Sequence, residues 1–228
     1  MKKSDPNEYD ELIPLLPLTI TAIQVQKKNK ERFSLYHEDR FLLGVSTQTL
    51  VSCSLKKGTL LTPEKLDAIL GIEQYSKAKE YTLGILSRRD HSVQELISKG
   101  LKKGFNKDVL ERVTQELQKN NYLDDQRFAS NFIHDATEFK KWSLNKIKFE
   151  LCKKGVNKTI IGQLLDGFDE AIWKEQMYRL VLKNRAKFIR SDTAKRKKKV
   201  YDYLARKGYS STLIWSEMNK LLSLVETD

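Results

Sequence analysis

Three sets of residues in this chain could do chemistry. The first is cationic. Between Lys183 and Lys207 stand Lys183, Arg185, Lys187, Arg190, Lys195, Arg196, Lys197, Lys198, Lys199, Arg206 and Lys207, opposed only by Asp192 and Asp202, so this segment carries +9 of the chain's net +12. One sign held over a helix-long run is a footprint for phosphates, because a solvated face usually mixes signs. Smaller patches at Lys99/Lys102/Lys103 and Lys146/Lys148/Lys153/Lys154 repeat the theme. The second set is aromatic. Trp142 follows Lys140-Lys141 and could stack on a base or dock on a partner. Core packing competes with that reading, and it is the expectation for Phe149, Tyr178, Tyr201, Tyr209 and Trp215. The third is the pair Asp124-Asp125, which could serve a metal or acid–base chemistry. Asp124 follows Tyr122-Leu123, where a helix N-cap belongs, and capping is the preferred reading.

Little else is reactive. His37, His91 and His134 lie apart, with no Cys, His or carboxylate at metal-ligand spacing, and His91 reads as a surface residue ahead of a helix. No glycine is followed by lysine, so there is no phosphate-binding loop of the Walker type. Cys53 and Cys152 form no C-x-x-C motif, and so sparse a cysteine content suits a reducing cytoplasm. The expectation is a chain without catalytic residues, metal or cofactor, and not an enzyme. The polar start lacks the apolar stretch of a signal peptide, and Pro14 and Pro17 break the longest apolar run, so no membrane span is expected.

The elements that would position these residues are mostly helices. Residues 1–17 read as a flexible tail. Residues 18–62 hold short β-rich runs around Ile20–Val25, Phe33–Tyr36 and Phe41–Val45, split by charged turns, which predicts a small antiparallel meander. Thr62-Pro63-Glu64 opens a helix. Beyond it one motif recurs: Lys102-Lys103-Gly104-Phe105-Asn106, Lys153-Lys154-Gly155-Val156-Asn157 and Arg206-Lys207-Gly208-Tyr209-Ser210, at spacings of 51 and 53 residues. Flanking positions agree, with Leu96, Ile147 and Val200 equivalent and Leu117, Phe168 and Leu221 likewise. Ser92 matches Ser143, while the third copy has Arg196.

Each motif reads as a helix–turn–helix joint. Basic residues face the negative helix end, glycine takes the left-handed conformation, and Asn or Ser caps the next helix. Ser92 and Glu95 spell a capping box. First helices are expected near 74–87, 125–140 and 170–189, the last with Ile172, Trp173, Tyr178, Leu182 and Ala186 inward. The fold class is therefore mainly α. Three tandem three-helix repeats (63–123, 124–168 and 169–228) would form an elongated, curved solenoid behind a β-rich segment. A hydrophobic share of 39% against 32% charged suits such small stacked units better than one large core.

These residues resemble the RecX family of regulatory proteins. Leu86, Arg89, Ser92, Glu95-Leu96 and Lys103-Gly104-Phe105 fit its first-repeat pattern, and Tyr122-Leu123-Asp124-Asp125-Gln126-Arg127-Phe128-Ala129 resembles its Y-L-D-D-x-x-F-A signature. Glu150-Leu151 with Lys154-Gly155-Val156 fits the second repeat, and the match covers residues 75–221. The sequence departs from the family in Lys141-Trp142 and in a third repeat that is more basic and lacks the serine cap. The chain is expected to be monomeric and cytoplasmic, and the resemblance implies that it binds the RecA recombinase filament on single- or double-stranded DNA. It also implies inhibition of the recombinase's ATPase and strand exchange, and hence regulation of DNA recombination, DNA repair and the SOS response. The alternative is a stand-alone DNA-binding protein without sequence specificity. Candidate contacts are Arg190, Lys195, Arg196, Lys197, Lys198, Lys199, Arg206, Lys207, Lys102, Lys103, Lys153, Lys154 and Trp142. Ser92, Gly104, Asp124, Gly155 and Gly208 are structural caps.

Overall fold

Alternation between apolar and polar residues from position 22 to 46 builds a three-stranded antiparallel meander. The structure, a computed structural model, describes residues 11–167 and 170–226. Strand β1 (Leu18–Thr19) precedes β2 (Ala22–Gln26), β3 (Asn29–His37) and β4 (Arg40–Ser46), which pair in the order β2-β3-β4. Helix α1 (Thr47–Ser52), capped by Ser46, follows inside the segment expected to be only β-rich. Strand β5 (Leu60–Leu61) then returns to pair with β1. Residues 1–10, the start of the expected tail, lie outside the described residues. The tail reading is corrected over the next stretch: Ile13–Leu15 form a 3-10 turn and Leu12 is buried with Ile20, Leu35, Leu43 and Leu61.

By its contacts the chain forms two units, one holding residues up to 84 with Gly100–Val113, the other Ile85–Lys99 with residues from 114 onward. In the first unit, α2 (Pro63–Leu86) starts at Thr62, whose hydroxyl accepts from the Lys65 amide. The helix expected at 74–87 is the second half of this longer one. Its Glu73 is the unit's principal polar anchor, and sequence reasoning missed it. The buried carboxylate accepts from the Ser46 amide at 2.6 Å and the Thr49 hydroxyl at 2.5 Å, and it pairs with Arg32 at 3.2 Å. Burial pushes its pKa up, but these hydrogen bonds and Arg32 outweigh that and hold it below the ordinary value. One carboxylate thus ties β3, the start of α1 and α2 together.

The remaining helices are α3 (Val93–Lys103), α4 (Lys107–Lys119), α5 (Asp125–Glu138), α6 (Leu144–Lys153), α7 (Lys158–Leu165), α8 (Glu170–Lys183), α9 (Arg185–Ile189), α10 (Thr193–Lys207), α11 (Ser211–Ser216) and α12 (Met218–Glu226). The expected single helix over 170–189 is interrupted at Asn184, whose side-chain amide donates back to the Leu180 carbonyl and to the Tyr203 hydroxyl. Its inward face also differs from expectation. Trp173, Met177, Leu180, Val181 and Phe188 are buried, whereas Ile172, Leu182 and Ala186 are exposed. The true stripe runs 173, 177, 180/181, which is the helical i, i+4, i+7/8 set. Leu96, Ile147 and Val200, equivalent in the three repeats, are all buried, as are Leu117 and Leu221; Phe168 lies outside the described residues.

All three Lys/Arg-Lys-Gly motifs close their helices as expected. Gly104, Gly155 and Gly208 have φ of 96°, 76° and 90°. The next residue's amide reaches back to close the Schellman ring: Phe105 to the Gly100 carbonyl, Val156 to Leu151 and Tyr209 to Leu204. Asn157 and Ser210 cap the helices that follow.

Candidate nucleic-acid interface

The second unit contains two joints between successive repeats, built to one plan. At the first, the Ser92 hydroxyl accepts from the Glu95 amide, capping α3, and donates to the Lys154 carbonyl at 2.5 Å. At the second, the Ser143 hydroxyl accepts from the Lys146 amide, capping α6, and donates to the Gly208 carbonyl, while the Ser143 amide donates to the Lys207 carbonyl at 2.9 Å. A serine-capped helix start in one repeat therefore seats on the Lys-Gly helix end of the next. The glycines serve a second purpose here. A Cβ on Gly155 would stand 2.3 Å from Gln94 Cβ, and one on Gly208 would stand 2.4 Å from Lys146 Cβ, whereas a Cβ on Gly104 would meet nothing within 4 Å.

The two joints differ in charge. Three residues after its serine the first joint has Glu95, whose carboxylate pairs with Lys154 at 2.5 Å and Arg89 at 3.3 Å. This corrects the capping-box reading. The serine caps as expected, but the glutamate turns to the ammonium and guanidinium, which are charged partners and stronger than a backbone amide. Burial raises the pKa of Glu95, and the hydrogen bonds from Lys154 and Arg89 more than offset it, leaving it lowered. The second joint has Lys146 at that place, facing Lys207. Burial lowers the pKa of Lys207 and the nearby Lys146 lowers it further.

Around this second joint opens a groove of about 750 Å³ lined by Trp142, Lys146, Asn184, Lys187, Phe188, Lys199, Asp202, Tyr203, Arg206 and Lys207. Five of the ten are cations and one is an acid. Helix α10 supplies Lys199, Asp202, Tyr203, Arg206 and Lys207 because those positions share one helical face. Trp142 is partly buried against the core, with the Lys140 and Lys146 ammonium groups 4.5 Å and 4.8 Å from its ring centroid.

The structure divides the candidate contacts. Lys199, Arg206, Lys207 and Trp142 meet in the groove. Arg190, Lys195 and Lys198 are exposed, Lys195 near Asp192 at 3.8 Å. Lys197 lies over the exposed Trp215, which stacks on Tyr201. Arg196 turns inward: its side chain is 12% exposed and pairs with Glu226 at 2.7 Å. Lys154 is held by Glu95, and its ammonium lies over Phe128 and Phe132. Lys153 is exposed at the end of α6, and Lys102 and Lys103 are exposed at the end of α3. Lys146 and Lys187, legible as members of the basic patch and the basic run but not among the candidate contacts, join the groove through the placement of α6 and α9 beside α10.

Other expectations resolve plainly. Asp124 caps α5, accepting from the Gln126 and Arg127 amides, and Asp125 accepts from the Val93 amide. His91, expected at the surface, is buried; its Nδ1 lies 3.0 Å from the Arg89 carbonyl, and burial lowers its pKa. It immediately precedes Ser92 and is enclosed where that serine seats on the next repeat. Of the aromatics expected in the core, Tyr209 is buried, but Phe149 is 65% and Trp215 50% exposed. Among the described residues, no cluster of three or more His, Cys, Asp or Glu could hold a metal, and no helix is long and apolar enough to cross a membrane.

Four family models match the chain: the regulatory protein RecX N-terminal domain over residues 18–62, and the first, second and third RecX three-helix domains over 78–117, 124–165 and 174–217. The chain is 32% identical to the regulatory protein RecX of Clostridioides difficile (strain 630) over 209 residues, 92% of this chain and 98% of that one. It is 32% identical to the regulatory protein RecX of Clostridium acetobutylicum over 208 residues, 90% of this chain and 94% of that one. A solved crystal structure of a regulatory protein RecX superposes with a TM-score of 0.66 at 24% identity, covering 86% of this chain and 96% of that one. Another, of RecX from Lactobacillus salivarius, gives 0.54 at 17% identity over 68% of this chain and 98% of that one. These two structures speak to the fold alone.

Proposed function

The chain belongs to the RecX family of regulatory proteins, and from that premise we propose that it binds the RecA recombinase–DNA filament and suppresses its ATPase and strand exchange. The observation that carries this reading is the cationic surface formed by α10 and the end of α9. Arg190, Lys195 and Lys198 project into solvent beside the groove cations, and the acids near them, Asp192 and Asp202, are too few to neutralise them. Such a surface gains from the phosphates of a nucleoprotein through counterion release. Tandem repeats offer several modest contacts on one body, and these add through effective concentration. The protein's part is to bind and obstruct, with no bond made or broken.

The test is the single-strand-DNA-dependent ATPase rate of the cognate recombinase, titrated with this protein at fixed salt. Suppression is expected well below one copy per recombinase protomer. The doubly reversed variant Lys195→Glu/Lys198→Glu is expected to suppress much less at equal concentration. It leaves Arg196 in place because that side chain holds Glu226. Suppression that begins only when the protein saturates the DNA would instead favour a stand-alone DNA-binding protein competing for phosphates, the reading that the groove's cations would also support.

A further inference from the structure

The inverted charge of the second joint points to a ligand. In both joints a serine cap seats on a Lys-Gly helix end, so the fold needs the serine and the glycine. It does not need the residue three places after the serine to be cationic, since Glu95 fills that place in the first joint and pairs with Lys154. In the second joint, Lys146 and Lys207 crowd each other with no carboxylate partner among the described residues. Their ammonium groups are parked on backbone carbonyls, Lys146 on Arg206 and Lys207 on Lys140. Among the described residues Lys199 donates to the Ser191 hydroxyl, and Lys187 and Arg206 have no carboxylate partner. Five cations thus converge on about 750 Å³ of open groove with Asp202 as the one acid in its lining. Burial and Lys146 already depress the pKa of Lys207, so an anion placed between them would relieve both costs.

The groove also has an aromatic wall. Trp142 stands where the first joint has the buried His91, and of the two ammonium groups over its ring only that of Lys146 belongs to the groove lining. A flat base sliding onto the indole would displace Lys146 from the ring toward the phosphate attached to that base. Bases of a duplex are already stacked, so an aromatic wall among cations favours an unpaired nucleotide.

We propose that this joint is a nucleotide site, in which Lys146, Lys187, Lys199, Arg206 and Lys207 hold phosphate and Trp142 receives the base of an unpaired strand. The proposal rests on the reading that this surface meets nucleic acid, and it names which part of the surface does so and in what form.

The experiment titrates the full chain at fixed salt, following tryptophan fluorescence. The probes are a short oligothymidylate, an abasic oligomer of equal length and a free nucleoside triphosphate. Saturable quenching by oligothymidylate is expected, with the abasic oligomer about 5- to 150-fold weaker. Lys146→Glu reproduces the charge pairing of the first joint, so it should fold normally, verified by its melting curve, and bind oligothymidylate at least about tenfold more weakly. Trp142→Phe should remove most of the quench, which separates this ring from the exposed Trp215. Quenching by the triphosphate at least as tight as by the oligomer supports the site with a free nucleotide as its source. Equal affinity for abasic and thymidylate oligomers, unchanged in a folded Lys146→Glu protein, overturns it. The recombinase assay separates the two readings. Lys146→Glu losing oligomer binding while recombinase suppression persists supports the site and places the filament contact elsewhere. Absence of suppression in a wild-type protein that binds oligothymidylate through Trp142 supports the site and refutes the filament reading alone.

Discussion

Replacing each motif glycine with alanine separates its two duties. All three hold φ between 76° and 96°, where a Cβ costs about 1–2 kcal/mol. At Gly104 that is the whole cost, because the added methyl meets nothing within 4 Å. At Gly155 it would meet Gln94 Cβ and Cγ at 2.3 and 2.6 Å, and at Gly208 Lys146 Cβ at 2.4 Å and Ser143 Oγ at 2.7 Å. These are near-backbone atoms of a capped helix start and cannot swing aside. Relief requires the joint to open, which adds about 1–3 kcal/mol of overpacking and threatens the serine hydrogen bonds. Gly155→Ala and Gly208→Ala should therefore cost about 2–5 kcal/mol against about 1–2 for Gly104→Ala. Urea denaturation would read this, with amide hydrogen exchange of α6 and α10 as a local probe, because the chain comprises two units. Equal penalties at all three glycines would refute the joint: the glycines would then act only as helix stops.

Four further outcomes are expected. Glu95 has a lowered pKa in the folded chain, so its pairing with Lys154 stabilises above the ordinary carboxylate value of 4.5 and is lost as pH falls through the folded value. Melting temperature against pH for the wild type minus that for Glu95→Gln should thus shrink toward zero on acidification below about pH 4.5; a flat difference curve would rule the pairing out. Glu73→Ala should destabilise the first unit by about 2–4 kcal/mol, since it strands the Ser46 amide, the Thr49 hydroxyl and Arg32 together, and a urea-midpoint shift equivalent to under about 0.5 kcal/mol would contradict that anchor. Ser143→Ala should cost about 1–3 kcal/mol, through the lost α6 cap and the stranded Gly208 carbonyl, again read in urea. Lys195→Glu/Lys198→Glu should leave the melting temperature within a degree or two, because both side chains are exposed, while weakening action on the filament.

The parts of this molecule legible in its sequence are those governed by near neighbours. Gly104, Gly155 and Gly208 announce left-handed helix ends because only local sterics decide them. Asp124 announces its cap, and alternation around Leu35 and Leu43 announces the meander. What escaped depends on pairs distant in the chain. Glu73 meets Ser46 and Thr49 across more than twenty residues, Ser92 meets Lys154 across 62, and Ser143 meets Gly208 across 65. The basic run was plain as composition, but composition does not reveal that Arg196 is committed to Glu226, that Lys197 covers Trp215, or that Lys146 and Lys187 join the groove. One signal was available. Ser92 and Ser143 are equivalent positions, and stepping three residues from each exposes glutamate in one repeat and lysine in the next.

That exchange bears on why the third repeat has Arg196 where the others have serine. In the two joints the serine is spent on the repeat that follows. In the third repeat the equivalent position lies inside α10, whose N-cap position is Asp192, four residues earlier, so no cap is needed there. Arginine uses it differently, folding onto the Ile189 and Ser191 carbonyls and Glu226, all within its own repeat. The start of α10 is thereby tied to α12 by an internal contact. Arg196→Ser should therefore loosen α12 against the start of α10, seen as faster amide exchange in Met218–Glu226, and leave exchange at the Ser92 and Ser143 joints unchanged. Uniform acceleration throughout the second unit would mean that Arg196 supports the whole core rather than this one local contact.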